Sequence, residues 1–160
     1  MIVVADTSPV SYLAEIELTE LLHRLYGTVL IPEEVHLELT KAGAPELTRY
    51  WANNLPDWVE IRRPQSAIRN ELAMLDAGER AAIQLALEVT AELLLIDEIK
   101  ARQVATGVFG FRVAGTLAVL RDLHNAGWID GRAAFTKLCE NTSFYHSPEL
   151  VRAFASSLTS

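Results

Sequence analysis

The chain has 160 residues, half of them hydrophobic, and a formal net charge of −7. This length suits a single domain over 1–160 with a substantial core, and a mean hydropathy of +0.16 excludes a disordered chain. No apolar run approaches the ~18 residues of a membrane span, and Asp6 arrives too early for a signal peptide.

A lone Cys139 rules out an internal disulfide and a cysteine zinc cluster, so the expected setting is a reduced cytoplasm with no membrane partner. The acidic charge runs against a nucleic-acid binder, which is expected to be basic. Either nucleic acid is not the partner, or several acids sit on a bound cation that cancels part of their charge.

Ile2 to Ala5 is a short apolar run, the length of a buried strand, and it ends at Asp6. Thr7-Ser8-Pro9 then signals a helix start. Leu13 to Leu25 has mixed helical spacing and reads as one or two helices ending at Gly27. Thr28 to Ile31 is a second buried strand, and Pro32-Glu33-Glu34 opens a helix on which Val35, Glu38 and Ala42 share a face. Gly43 and Pro45 close it, and Pro45 to Asn54 is a further helix.

Trp58 to Arg62 reads as a half-exposed strand and Pro64 to Asn70 as a flexible segment. A helix follows from Leu75 to about Val89, with Asp76 and Glu79 at capping-box spacing. Leu93 to Ile96 is apolar without alternation, as in a parallel core strand, and ends at Asp97-Glu98 before a helix carrying Lys100 and Arg102. Phe111 to Val113 reads as a last strand, and Gly115-Thr116 leads into a helix that stops at Gly127. Two more helices cover about 131–140 and 148–158. This alternation predicts a three-layer α/β/α sandwich with a mostly parallel sheet.

Four carboxylates stand out: Asp6 and Asp97 at strand tips, Glu38 and Glu79 on apolar helix faces. In open α/β sheets the C-terminal strand tips are where ligands bind. Carboxylates brought together repel unless a cation sits among them, and oxygen-only ligation suits Mg²⁺ or Mn²⁺. Such a site can cleave phosphodiesters. Asp6 and Asp97 would be direct ligands, with Glu38 and Glu79 binding a second ion or orienting water. Each acid also has a plain alternative. Asp6 and Asp97 can cap helices, Glu79 can complete a capping box, Glu38 can face solvent, and Glu98 can sit on a helix dipole.

The ordered set Asp6-Thr7-Ser8-Pro9, Ile31-Pro32-x-x-Val35-x-x-Glu38, Gly78-Glu79-x-x-Ala82-Ile83 and Leu95-Ile96-Asp97-Glu98-x-x-Ala101-Arg102 resembles the PIN-domain family. Gly115-Thr116-x-x-Val119-Leu120 is similar to the continuation seen in its prokaryotic branch, related to VapC-type toxins. The likeness runs from Ile2 to about Trp128 and is less distinctive over the C-terminal helices, from about 131. It implies a Rossmann-like fold and an Mg²⁺- or Mn²⁺-dependent ribonuclease using Asp6, Glu38, Glu79 and Asp97. It also implies a homodimer and a small antitoxin partner. Many members carry Asp where this chain has Glu79, whose longer side chain favours a water-mediated role. Thr7, Ser8 and Thr116 would be supporting hydroxyls.

His23, His36, His124 and His146 lack metal-ligand spacing, and Cys139 has no His partner. Among the cations Arg102 has the best claim on a phosphate, lying near one turn beyond Asp97. Trp51, Trp58 and Trp128 are too dispersed for a stacking platform. A phosphoaspartyl enzyme is disfavoured because Ser8 stands where a second Asp is wanted. A PIN-fold binding module with little nuclease activity remains the alternative.

Overall fold

The apolar runs near residues 2–5, 28–31 and 93–96 become the three central strands of one sheet. In the computed structural model, which describes residues 1–160, the strands are β1 (Val3–Ala5), β2 (Val29–Pro32), β3 (Val59–Arg62), β4 (Leu93–Leu95) and β5 (Val113–Ala114). All pairings are parallel, in the order β3-β2-β1-β4-β5. Nine helices accompany them: α1 (Thr7–Glu15), α2 (Glu20–Tyr26), α3 (Glu33–Thr40), α4 (Glu46–Asn53), α5 (Ala77–Val89), α6 (Ile99–Gly107), α7 (Thr116–Asn125), α8 (Gly131–Asn141) and α9 (Pro148–Ser157). None is long and apolar enough to cross a membrane.

Alternate strand residues feed two cores. Val3, Ala5, Val29, Ile31, Leu93 and Leu95 join residues of α1 to α4 and α7 to α9 in one cluster. Val4, Leu30, Leu94 and Ile96 join α5 and α6 in the other. Strands covered on both faces need apolar residues at every position, which explains the unbroken runs. The result is the expected α/β/α sandwich.

The topology also creates a switch point at the sheet's C-terminal edge. The crossover from β1 to β2 lies on one face and that from β4 to β5 on the other. The chain therefore leaves the C-terminal ends of the neighbouring strands β1 and β4 in opposite directions, which opens a crevice between them.

Several local expectations change. The stretch 13–25 resolves as two helices, α1 beginning already at Thr7, with Glu17 at φ 60° turning the chain between α1 and α2. Helix α3 stops at Thr40, so Ala42 is exposed and Ala44 is the buried residue instead. The last strand is Val113–Ala114, because the Phe111 amide is spent on the Ala105 carbonyl (3.0 Å), closing α6. The segment 64–70 is irregular but tethered: Glu88 accepts from the Gln65 amide (2.7 Å) and the Ser66 hydroxyl (2.9 Å), and Gln84 accepts from the Arg69 amide (3.2 Å).

Burial grades the strands. Leu94, wholly buried in β4, should cost about 3 kcal/mol when replaced by Ala. Ile61, 41% exposed on edge strand β3, should cost under about 1 kcal/mol in Ile61→Ala. Urea denaturation of the two variants checks the ranking.

Candidate active site

Asp6 and Asp97 arrive at the crevice on neighbouring strands. The register pairs Ala5 with Leu95, and the Asp6 amide extends the ladder by donating to the Leu95 carbonyl (2.9 Å). Asp6 occupies the N-cap position of α1, yet its carboxylate makes no capping bond. The simple cap expected as the alternative for Asp6 is therefore absent.

Asp97 does cap a helix, but a distant one. Its Oδ1 accepts from the Thr116 amide and its Oδ2 from the Thr116 hydroxyl, both at 2.6 Å. The N-cap of α7 is Gly115, which has no side chain to offer. A Cβ there would lie 2.7 Å from Asp97 Oδ1 and 3.3 Å from Arg102 Nη1, so glycine is what lets the strand-tip carboxylate reach the helix.

Glu38 enters from α3, where Val35 and Leu39 anchor the buried side. Its Oε2 accepts from the Thr7 hydroxyl at 2.8 Å. Gly78, in the first turn of α5, holds the acids together: a Cβ on it would lie 2.7 Å from Glu38 Oε1 and 3.3 Å from Asp6 Oδ1. Asp6 and Glu38 thus flank one backbone point that only glycine leaves open.

Glu79 follows directly. It completes the capping box, its Oε1 accepting from the Asp76 amide (3.1 Å) while Asp76 Oδ1 accepts from the Glu79 amide (2.8 Å). It is also buried beside the other acids.

The electrostatics record this crowding. Burial pushes the Asp6 carboxyl from its ordinary value up to about 7; the Thr7 amide offsets part of the rise, and the charges of Glu79, Asp76 and Glu38 add to it. Burial likewise raises Glu79, against the Asp76 amide and with the charges of Asp76, Glu98 and Glu38. Asp97 is raised by burial and held back by the two Thr116 bonds and by Arg102.

Asp76, Glu79, Asp97 and Glu98 open into a cleft of about 660 Å³, together with Ser8, Arg102 and Arg121. Asp6 and Glu38 are not part of that lining. Residues 2–160 match a family described as PIN domain. The chain is a PIN-domain protein. No curated protein and no solved structure gives a significant match to it.

The donor chemistry of this PIN domain is compatible with a divalent ion. Every candidate ligand is a carboxylate oxygen, and none of the chain's ion pairs involves Asp6, Glu38, Asp76, Glu79 or Asp97. No three of them converge into a ready-made ion cage. Mg²⁺ does not need one: it keeps several waters and is held through one or two carboxylates. Crowded, unpaired, oxygen-only acids fit such an ion.

Other expected roles are structural. His23, His36 and His124 bind the carbonyls of Gly27, Ala52 and Thr159, and Trp58 packs against His23 and Trp51. Arg62 and Arg63 pair with Glu60 and Glu33. Sequence reasoning missed Asp76, whose charge was absorbed into its capping role, and Gly78. A glycine inside a helix's first turn, next to an acid, was the available signal.

Two outcomes follow from this geometry. A solvent-facing Gly→Ala change in a helix gains about 1 kcal/mol, but Gly78→Ala should melt at or below wild type because its methyl displaces Glu38. An acid whose pKa is raised on folding binds more protons folded than unfolded between about pH 4 and 7. Stability therefore falls as pH rises through that window, and the Asp6 charge costs up to about 4 kcal/mol above it. Asp6→Asn, melted in EDTA, should exceed wild type at pH 8 and lose that advantage near pH 4.

Proposed function

We propose that this PIN domain is an Mg²⁺- or Mn²⁺-dependent ribonuclease. The observation that supports it most is that Asp6 and Glu38 flank Gly78 at the sheet's switch point while Glu79 and Asp97 line the adjoining cleft, none of them in an ion pair. In this reading Asp6 and Asp97 hold the ion, and Glu38 and Glu79 complete its surroundings. When bound, the ion supplies Lewis acidity and charge neutralisation for phosphodiester hydrolysis.

The chain's own groups do the rest. Thr7 and Thr116 fix the orientations of Glu38 and Asp97 through their hydroxyls. Glu79 gives Oε1 to the Asp76 amide and keeps Oε2 to orient the attacking water. Its raised pKa moves it toward the range where a group exchanges protons at neutral pH. Arg102, half-buried in the cleft and without an acid at ion-pair distance, meets the phosphate. Ser8 and Glu98 sit at the cleft surface, where they contact solvent and substrate.

The same reading extends to the finer family expectations: a VapC-type toxin acting in the cytoplasm as a homodimer, restrained by a small antitoxin, with the whole chain 1–160 as one domain. Its test is RNA cleavage with Mn²⁺ or Mg²⁺, paired with thermal melting. Asp6→Asn should abolish cleavage while remaining folded, and Glu79→Gln should leave more activity than Asp6→Asn. Millimolar Mn²⁺ should raise the melting temperature of wild type but not of Asp6→Asn; at a hundredfold excess over Kd the gain is about 2.7 kcal/mol. Full cleavage by Asp6→Asn would overturn the metal site. Absence of both cleavage and metal shift in wild type would favour the binding module.

A further inference from the structure

We propose that the outer edge of β3 pairs with the same edge of a second copy of this chain, antiparallel and centred on Ile61, so that one sheet runs through both copies. β3 is an outermost strand, bonded to β2 on its inner side and to no strand on its outer side. The inference stands apart from the ribonuclease chemistry. It gives a second copy a definite place on the molecule.

The parallel register decides which backbone groups are free. Val29 stands opposite Val59 and donates its amide to the Trp58 carbonyl (2.9 Å). Alternate residues of a parallel strand bond to the same neighbour, so Glu60 spends its amide and carbonyl on β2, and Arg62 its amide. The Ile61 N–H and C=O therefore point outward, with the Val59 carbonyl and the Arg63 amide on the same side. The Val59 amide is already spent on the Pro56 carbonyl (3.1 Å). A row of unpaired groups like this is a template for another strand. Pro64, with no N–H to donate, ends it.

The side chains select both the partner and the register. An antiparallel pair centred on residue 60 would set Glu60 against Glu60, and one centred on residue 62 would set Arg62 against Arg62; both repel. Centring on Ile61 sets each Glu60 against the Arg62 of the other copy, at the closely spaced positions between hydrogen-bonded pairs. Each copy then donates its Ile61 amide to the other's Ile61 carbonyl and its Arg63 amide to the other's Val59 carbonyl. Within one chain Glu60 and Arg62 bond to each other at 2.7 Å, both about half exposed. A surface pair of this kind contributes little, so both groups can turn across the interface at small cost. Ile61, 41% exposed, would cover its twin.

A short edge gives a weak dimer, so the test is concentration dependence, read by sedimentation velocity of the full chain from low-micromolar to near-millimolar protein. Wild type should pass from monomer to dimer. Glu60→Arg and Arg62→Glu each oppose like charges at both symmetry-related contacts and should weaken the dimer about tenfold. The combined Glu60→Arg/Arg62→Glu chain restores opposite charges across the axis and should dimerise as wild type does. Ile61→Pro removes an outward N–H and no bond to β2, so it should stay folded by circular dichroism and no longer dimerise.

Wild type that stays monomeric throughout would overturn the edge pairing. So would a dimer indifferent to these substitutions, which would place the contact on another face. A charge swap that fails to restore the dimer would overturn the antiparallel register. RNA cleavage in Mn²⁺ by the same samples judges the ribonuclease reading separately, since Glu60, Ile61 and Arg62 do not line the acid cleft. A dimer that never cuts removes the ribonuclease and leaves the edge pairing; a monomer that cuts does the reverse.

Discussion

The structure is organised around negative charge buried at the ends of two adjacent parallel strands. Asp6 ends β1, Asp97 follows β4, and Glu38 and Glu79 are brought against Asp6 from α3 and α5. Buried like charges are costly, and the surrounding architecture answers that cost. In a parallel sheet, helices that follow strands begin at the strands' C-terminal edge. Here α1, α5, α6 and α7 all start beside the acids, with Asp6, Asp76, Glu98 and Gly115 at their N-caps. Each helix start carries a partial positive charge and unpaired amides, so the fold supplies anion stabilisation where the carboxylates gather.

The glycines show how tightly this was built. Gly78 and Gly115 stand at the two points where a helix start touches an acid from another element, and each has no room for a methyl group. Neither has a positive φ, so backbone freedom is not the reason for them. Close approach is. The pairs Gly78-Glu79 and Gly115-Thr116 therefore combine a spacer with a polar group that uses the space it opens.

Legibility from sequence followed the range of the interactions. Asp6 and Asp97 were visible because each ends an unbroken apolar run, a local pattern with a direct structural meaning. Glu38 was assigned to the inner face partly through Ala42, which proved to lie beyond the end of α3. Glu79 offered two readings; the structure shows the capping box, in which one carboxylate oxygen is used and the other left over. The β5 boundary was misplaced because a single amide, that of Phe111, prefers the end of α6 to the sheet. The contact of Tyr12 with Phe144 could not be read at all: it forms only where α1 packs against the segment between α8 and α9, and no periodicity links the two residues.

The acids are not equally constrained, and the inequality bears on function. Asp97 has both oxygens bound by Thr116, Glu38 has one bound by Thr7, and Glu79 has one bound by Asp76. These bonds fix their directions and soften their burial. Asp6 has only the neighbouring Thr7 amide to relieve it and is the most displaced in pKa. A chain selected for stability alone would gain from an uncharged residue there, or from a lysine or arginine reaching in. None of its ion pairs reaches Asp6, and Arg102 stops at the cleft wall. A costly group held without an internal cation marks a place where an external cation can deliver the missing charge, which is the physical argument for the proposal that an ion is held at Asp6.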